Sequence, residues 1–184
     1  MSKSAVIRPI QLSEIEIFMD EVERNVLESG RDGTPIFNAY NEKTPFNRAN
    51  KSKSFLENMS KKTTEPGWQR AWGIFTDDGV IHGDIGLWVD QNHASLHRAM
   101  FGMCMDKDYR GQGWGSKLMK TAIEYAKGLK LEYIDLYVLE GNEPAIALYK
   151  KFGFTETGYW PDRWRLLGKK VGEYSYVLNL GKSE

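Results

Sequence analysis

Length, composition and charge narrow the classes of protein that this sequence can encode. The chain has 184 residues, 41% of them hydrophobic, and its 25 basic residues balance its 25 acidic ones. This length suits one domain with a substantial core, and zero net charge gives no general attraction to nucleic acid or to an anionic membrane. No apolar run is long enough to span a bilayer. A single cysteine excludes an intrachain disulfide and is typical of a reducing compartment. We therefore predict a cytoplasmic protein in which residues 4–181 form a single domain.

The first third of the chain predicts an edge strand, two helices and a long loop. A short apolar stretch near the N-terminus contains a proline, which cannot donate to a neighbouring strand and therefore indicates a sheet edge. Ser13 and Glu16 have the spacing of a capping box that opens a helix ending near Glu28. The apolar side of this helix would consist of Ile15, Ile17, Phe18, Val22, Val26 and Leu27. We predict a loop over residues 30–50, a length that is typically functional or mobile, and a second helix over residues 51–61.

From Trp68 onward, apolar runs predict strands that are separated by two further helices. The segment 77–79, Asp-Asp-Gly, is a strong hairpin signal, and Pro144 stands at a helix start, where its missing N–H costs nothing. The predicted elements are strands at 69–76, 80–89 and 96–105, a helix at 114–127, a strand at 131–138, a helix from Pro144 to before Gly153, and strands at 154–160 and 173–180 joined by a loop that contains Trp160, Arg163, Trp164 and Arg165. This order predicts a mixed α/β fold, a sheet covered by helices.

The most informative segment is a glycine-rich turn at residues 109–116, which reads Tyr-Arg-Gly-Gln-Gly-Trp-Gly-Ser. Three alternating glycines remove the Cβ atoms that would keep a ligand away from the main chain. The amides of the turn and of the following helix start then converge on one point, which suits an anion. Arg110 adds a charge whose planar fork matches phosphate oxygens. We expect a phosphorylated ligand at this turn.

The spacing of the glycines separates this turn from other phosphate-binding loops. A P-loop ends in Gly-Lys-Ser/Thr, which does not occur here, and the dinucleotide fingerprint needs a third glycine where this chain has Ser116. The segment fits Arg-x-x-Gly-x-Gly, with Arg110, Gly113 and Gly115. In these residues the sequence resembles the GNAT superfamily of N-acetyltransferases, whose pyrophosphate loop carries this pattern.

A second motif strengthens the resemblance. Residues 142–154 match the GNAT consensus Asn-x-x-Ala-x-x-Leu-Tyr-x-x-x-Gly-Phe at every specified position, and the likeness covers residues 79–180 closely. The resemblance implies a GNAT-like fold, with a central, mostly antiparallel twisted sheet of six to seven strands, a splayed pair of strands and about four flanking helices. It also implies transfer of an acetyl group from acetyl-CoA to an amine.

The resemblance further implies which residues would contact acetyl-CoA. The pantetheine arm would bond to the main chain of Met103, Cys104 and Met105. The pyrophosphate would rest on the amides of Arg110, Gly111, Gln112, Gly113, Trp114, Gly115 and Ser116. Asn142 and Ala145 of the second motif would lie beside the pantetheine, and Tyr149 beside the sulfur. We expect no metal, since the three histidines, His82, His93 and His97, show no ligand spacing.

The chemistry of the reaction needs groups that move protons near the thioester. A strand amide near Met103 or Met105 would stabilise the oxyanion. The departing thiolate has a reference pKa near 8.5 and tyrosine one of about 10, so we predict that Tyr149 is the general acid. The base is left open among Asp84, His97, Glu140 and a water chain. A family branch that acetylates protein N-termini carries a glutamate where this chain has Tyr137, and this departure weakens that interpretation.

The function we predict is N-acetylation of a small molecule such as an amino acid or a polyamine, with neither nucleic acid nor a membrane as a partner. The alternatives are a non-catalytic CoA-binding sensor or interaction domain, acetylation of a protein N-terminus or lysine, and a nucleotide site of an oxidoreductase. A homodimer through the late strands is left open. Cys104, in an apolar run, is predicted to be an inert buried thiol. We expect the loop at 30–50 and the segment around Trp160 to select the acceptor.

Overall fold

The computed structural model describes residues 4–41 and 43–181, which contain one seven-stranded sheet. Its strands are β1 (Ala5–Pro9), β2 (Gln69–Thr76), β3 (Ile81–Trp88), β4 (Arg98–Met105), β5 (Tyr133–Leu139), β6 (Thr155–Leu166) and β7 (Lys169–Asn179). Their order across the sheet is β1-β2-β3-β4-β5-β7-β6. All neighbouring strands are antiparallel except β4 and β5, which are parallel. The predicted mixed α/β fold with a mostly antiparallel sheet is confirmed.

Four helices cover the two faces of this sheet. They are α1 (Ile15–Glu28), α2 (Arg48–Ser60), α3 (Trp114–Gly128) and α4 (Glu143–Lys151). Successive side chains of a strand point to opposite faces, and β2 shows the result. Ala71 and Phe75 pack against α1 and α2, whereas Trp72 and Ile74 join the larger core beneath α3 and α4. Within residues 4–41 and 43–181, no helix is long and apolar enough to cross a membrane.

The sheet opens between β4 and β5. Their parallel pairing covers only Arg98–Met100 on one strand and Tyr133–Asp135 on the other. Beyond this point β4 remains paired with β3 as far as Met105, while β5 remains paired with β7 as far as Leu139. The C-terminal halves of β4 and β5 therefore diverge, as the predicted splayed pair requires, and their facing edges have no partner strand.

The two N-terminal helices begin at other residues than predicted. The capping box before α1 is formed by Gln11 and Glu14, not by Ser13 and Glu16, and it encloses a short 3-10 turn. The first turn of α2 is capped by the side chain of Asn47, which accepts a hydrogen bond from a first-turn amide at 2.9 Å, so this helix begins three residues earlier than its apolar pattern indicates.

The buried face of α1 also differs from the predicted one. Ile17 and Leu27 are exposed, whereas Glu21 and Asn25 are almost completely buried. The helix presents these two polar side chains to the sheet, where Glu21 interacts with Asp84 on β3 and Asn25 donates to Glu21 and to Asp106, just after β4. The predicted apolar stripe therefore identified the helix and part of its buried side, including Ile15 and Phe18, but not the buried polar residues.

The C-terminal hairpin is longer than predicted. Residues 160–165, which we expected in a loop, lie within β6, and the pairing with β7 shifts between Trp160 and Trp164. The strands meet at a tight turn, where Leu167 and Gly168 have φ of 50° and 73°. The loop prediction is wrong because a bulge accommodates Pro161 within the strand and the turn itself comes later.

Candidate active site

A cavity of about 540 Å³ occupies the gap between β4 and β5. Its walls are the ends of these two strands, the glycine-rich turn, α4 and part of the loop before α2. The contributing segments are Phe101–Met105, the turn from Arg110 to Ser116, Tyr137–Leu139, residues of 142–149, and Pro35 and Phe37. Both sequence motifs therefore meet at a single cavity.

The edge of β4 presents main-chain groups to this cavity. The amide of Asp106 donates to the His82 carbonyl on β3. In an antiparallel pair, successive residues direct their main-chain N–H and C=O groups alternately toward the partner strand and away from it. The main-chain groups of Cys104 therefore point toward β3, and those of Met103 and Met105 point into the gap. The Met105 carbonyl accepts two hydrogen bonds from the Arg110 guanidinium. These bonds agree with a carbonyl that points away from β3. The amides of Met103 and Met105 are left available to a ligand.

The glycine-rich turn between β4 and α3 forms an open cradle. Gly111 and Gly113 have φ of 73° and 83°, and a Cβ atom at either position would meet nothing within 4 Å. Gly113 immediately precedes α3, so the first helical amides point in the same direction. Among the described residues, the amides of 111–116 have no hydrogen-bond acceptor. Free amides at a helix N-terminus suit an anion such as a diphosphate.

The other members of the turn support the cradle in different ways. A Cβ atom on Gly115 would lie 3.2 Å from Leu148, so this glycine lets α3 approach α4 closely. The side chain of Gln112 donates to the Asp108 carbonyl just before the turn, and the Trp114 ring lies beneath the ammonium of Lys117 at 4.1 Å. The amides of Gln112 and Trp114, rather than their side chains, are therefore the groups that could contact a ligand.

Arg110 has another role than the one predicted from its charge. Its guanidinium donates to the Met105 carbonyl at 2.9 and 2.7 Å and forms an ion pair with Glu28 at 3.0 Å, while its amide donates to the carbonyl of Lys107. The side chain thus satisfies a strand-end carbonyl and ties the turn to α1. We expected this guanidinium to be free for phosphate oxygens. In the structure it is already hydrogen-bonded within the protein, although Arg110 lines the cavity.

Tyr149 on α4 forms the wall opposite β4. The residue is 6% exposed, and its ring packs edge-on against Phe101 at 5.7 Å and also contacts Phe154. Its hydroxyl forms no hydrogen bond with any described residue, and the residue lines the cavity. Burial, and after it the nearby Cys104, raises the pKa of the phenol. The phenol therefore retains its proton at neutral pH, which a general acid requires.

Asn142 and Ala145 lie along the cavity at the start of α4. The carbonyl of Asn142 accepts hydrogen bonds from the amides of Ala145 and Ile146, whereas its side-chain amide has no partner among the described residues. This side chain is free to bind a polar ligand group. Ser116 also lines the cavity, and its Oγ lies 3.5 Å from the Lys151 Nζ, which places a positive charge beside the turn.

Asp84 does not itself line the cavity; it lies behind Cys104, which does, on the face of the sheet that α1 and α2 cover. It is paired with Cys104 across β3 and β4, so the two side chains point to the same face, and Cys104 lines the cavity. Burial raises the pKa of Asp84 to about 7, while a hydrogen bond from Glu21 and the charge of Lys51 act in the opposite direction. Burial also raises the pKa of the Cys104 thiol, which keeps it protonated.

Two other candidates for the base are not brought to the cavity. His97 stands just before β4, roughly 20 Å along the strand from Met103, and packs edge-on against Tyr133. The carboxylate of Glu140 accepts a hydrogen bond from the amide of Gly172 in the C-terminal hairpin. Neither residue lines the cavity. His97 is distant from the cavity because it precedes the first residue of β4, whereas the cavity lies at the C-terminal end of that strand.

Two charged residues near Asp84 were missed by sequence reasoning. Glu21 on α1 is fully buried, and Lys51 on α2 is partly buried with its ammonium 5.2 Å from the Phe55 ring. A signal for Glu21 does exist in the sequence, because it follows Phe18 by three residues and so shares its helical face. Among the described residues, no group of three or more His, Cys, Asp or Glu side chains could hold a metal ion.

The loop before α2 and the C-terminal hairpin pack together beside the cavity. Ile36 of the loop and Trp164 of β6 pack against a small cluster of buried side chains, Leu139, Leu166 and Val171. Phe37, one residue along, lines the cavity and lies 5.6 Å from the Arg110 guanidinium. The two segments predicted to select the acceptor therefore share one hydrophobic cluster.

Comparisons with known proteins agree with this geometry. The model of the family described as "Acetyltransferase (GNAT) family" matches residues 34–154, which include both motifs and most of the cavity wall. The chain belongs to the GNAT acetyltransferase family.

Individual relatives share either a segment of sequence or the whole fold. The L-amino acid N-acetyltransferase AaaT of Escherichia coli is 38% identical over 82 residues, 44% of this chain and 51% of that protein. The "Probable spermine N(1)-acetyltransferase" of Bacillus subtilis subsp. natto is 42% identical over 88 residues, 47% of this chain and 51% of that protein. The matches thus span about half the length of these curated relatives. The structure of yncA from Salmonella typhimurium with its cofactor acetyl-CoA superposes with a TM-score of 0.79 at 16% identity, covering 98% of this chain and 96% of that one.

Proposed function

We propose that this protein transfers an acetyl group from acetyl-CoA to the primary amine of a small molecule. The observation that carries the proposal is the position of Tyr149, whose unpartnered hydroxyl shares one cavity with the open glycine cradle and the free edge of β4. This combination supplies an anion site, a channel with main-chain donors and a proton donor in one continuous space.

The residues around the cavity fit acetyl-CoA, which supplies an activated acetyl group as its thioester. The amides of 111–116 would bind the diphosphate, as free donors at a helix N-terminus do. The free edge of β4 at Met103 and Met105, with Asn142 and Ala145 on the other side, would hold the pantetheine arm between the diverging strands. Tyr149 would then lie at the thioester.

Acetyl transfer would proceed by direct attack of the amine on the thioester. The amine nitrogen forms a bond to the carbonyl carbon, the carbon–sulfur bond breaks, and the Met103 amide stabilises the negative oxygen. Tyr149 gives its proton to the departing thiolate. The nitrogen releases its second proton through water when the amide forms, and this proton restores the one that Tyr149 gave up. Asp84 accepts the proton that the ammonium must lose, by way of water, because Asp84 lies behind Cys104.

The raised pKa of Tyr149 does not oppose this role. The buried Cys104 thiol beside it has a raised pKa as well, which shows what the same surroundings do to a sulfur anion. A thiolate released here is therefore more basic than in water, which limits the uphill cost of proton transfer from the phenol.

Several observations favour a small acceptor. Ile36 of the loop before α2 and Trp164 of the C-terminal hairpin pack against one cluster beside the cavity, and this crowding favours a small acceptor over a protein chain. The amino acid and spermine named for the two relatives are small amines. We further propose that residues 4–181 act as one cytoplasmic domain, to which the single free cysteine is suited.

The test is release of free CoA from acetyl-CoA in the presence of a panel of amines, with amino acids, polyamines and peptides with free N-termini as separate groups. We expect turnover with amino acids or polyamines and none with the peptides. Turnover of peptides alone would favour acetylation of protein N-termini. Tight binding of CoA without turnover of any amine would favour a non-catalytic CoA-binding domain.

A further inference from the structure

Two carboxyl groups, Glu21 on α1 and Asp84 on β3, face each other behind the cavity. We propose that they form a carboxylic acid–carboxylate pair held together by one proton, and that Glu21 is the positioning residue that keeps Asp84 ionised and oriented as the base. This inference rests on the proposed acetyl transfer and concerns the same site.

The hydrogen bonds of Glu21 indicate where the proton lies. Glu21 is 0% exposed, and its Oε1 accepts a hydrogen bond from the Asn25 Nδ2 at 2.6 Å. Its Oε2 is equally buried and receives no donor from any described residue. The side chains of Glu21 and Asp84 are within hydrogen-bonding range of each other. Two ionised carboxylates cannot form such a bond, so one of them carries a proton.

The charges around the pair assign that proton to Glu21. Arg24 on α1 is committed to Asp106 at 3.1 Å, and His82 on β3 also contacts Asp106, with its Nδ1 at 3.0 Å from the carboxylate. This leaves Lys51 on α2 as the cation whose charge acts on Asp84, and the neutral Cys104 thiol faces Asp84 from β4.

The charge of Arg24 also reaches Glu21, but the charges of Asp84 and Asp106 outweigh it there, so Lys51 is matched by a single negative charge on the pair. The carboxylate near Lys51 is Asp84, so Glu21 holds the proton and donates it to Asp84 in a hydrogen bond. In agreement, burial, and after it the charges of Asp84 and Asp106, raises the pKa of Glu21 well above its ordinary value.

The pair can take up the proton that acetyl transfer releases. The substrate ammonium loses a proton to the Asp84 carboxylate through water, which frees the nitrogen lone pair for attack. The pair then holds two protons and returns one to solvent before the next turnover. Glu21 itself never contacts the amine; it sets the proton affinity of Asp84 and fixes its orientation.

Infrared spectroscopy of the free protein tests the pair without any turnover. At a pH above the Asp84 transition, we expect the band of a protonated carboxyl group in the wild type and in Asp84→Asn, and its loss in Glu21→Gln. Glu23→Gln, on the same helix but paired with Arg48 at the surface, is the matched control and should keep the band. A wild-type protein without that band, or a band that survives Glu21→Gln, would overturn the proposal.

The pH dependence of kcat/KM separates positioning from a structural role. Glu21→Met removes the donor to Asp84, so its carboxylate is less stabilised, and the acidic limb should move up by about one pH unit. Glu21→Gln still donates through its amide and should move that limb less. An unchanged limb in Glu21→Met contradicts the proposal. If the wild type acetylates no amine, the proposed function fails, yet the infrared result still decides whether the pair exists.

Discussion

At the scale of single residues, burial determines which groups of the site carry protons. Tyr149 and Cys104 both keep theirs because their pKa values are raised by burial, whereas Asp84 has a pKa of about 7 and changes charge near neutrality. A phenol that stays protonated and a carboxylate that titrates near pH 7 are an acid and a base in complementary states. Asp84 and Cys104 point to one face of the sheet, whereas Tyr149 packs in the core on the other face.

Replacement of Tyr149 by phenylalanine should slow acetyl transfer by removing the proton donor. We expect kcat to fall by roughly 10²- to 10³-fold, with little change in the affinity for acetyl-CoA, since general acids contribute on this order. The measurement is CoA release at saturating substrate. Tyr176→Phe is the matched control, because Tyr176 belongs to the same aromatic cluster but directs its hydroxyl to Glu156. Wild-type kcat in Tyr149→Phe would remove Tyr149 from the mechanism.

The pKa of Asp84 predicts an acidic limb in the pH profile. Only the carboxylate can accept a proton, so kcat/KM should rise with pH up to about 7 and then level off. Asp84→Asn should lower the rate by at least about 10²-fold and abolish the limb. Asp77→Asn, in the hairpin turn between β2 and β3, should leave both unchanged. A limb that persists in Asp84→Asn belongs to another group.

The same raised pKa has a consequence for folding with a defined sign. Because the carboxyl of Asp84 is harder to ionise in the folded chain than in the unfolded one, its contribution to stability is present below pH 3.8 and is lost as the pH rises to about 7. The free energy of unfolding of Asp84→Asn should therefore depend less on pH across this interval than that of the wild type, as measured by urea denaturation.

At the scale of elements, the site depends on how β4 ends. Its main-chain groups at Met103 and Met105 have no partner strand, the Arg110 side chain satisfies one of them, and the chain then turns through Gly111 and Gly113 into α3. A strand edge and a helix start thus present their unpaired donors to the same cavity. Neither element would supply a binding site alone.

A pair of glycine variants separates backbone strain from ligand binding. Gly113 and Gly79 have φ of 83° and 79°, and a Cβ atom at either would meet nothing within 4 Å. Alanine at either position should therefore cost a similar 1–2 kcal/mol or so of stability in a denaturation curve. Only Gly113→Ala places a methyl group in the cradle, and calorimetric titration should show about tenfold or greater loss of CoA affinity. Equal CoA affinity in the two variants would remove the cradle from the diphosphate site.

At the scale of the whole molecule, the sheet is two parts joined by the short parallel pairing of β4 and β5. The part from β1 to β4 carries the glycine turn and Asp84, whereas the part from β5 to β7 carries the C-terminal hairpin. A ligand that fills the gap would contact both parts and should stabilise the fold as a unit.

Thermal unfolding should therefore respond to CoA. At a free concentration about a hundred times its Kd, acetyl-CoA should add about 2.7 kcal/mol to the stability, which raises Tm by roughly 5–10 °C in a chain of this size. NAD and NADP should give no shift. Stabilisation by NADP but not by CoA would instead support the oxidoreductase alternative.

The sequence by itself determined the fold family and the location of the cavity. Local patterns sufficed, because a glycine turn between a strand and a helix, and the Asn142–Phe154 motif, each encode their geometry within a few residues. The buried face of α1 and the bounds of the C-terminal hairpin were less predictable, because Glu21 faces the sheet against its polarity and Pro161 is accommodated by a bulge.

Only the tertiary structure decided which charges belong to the site. Arg110 turns to Met105 and Glu28, His97 lies at the far end of its strand, and Glu21 meets Asp84 across the space between α1 and β3. Such partners are far apart in the chain, and their protonation depends on the burial that packing creates. Local sequence patterns specify neither the partners nor the protonation states, because both arise only when the helices pack on the sheet.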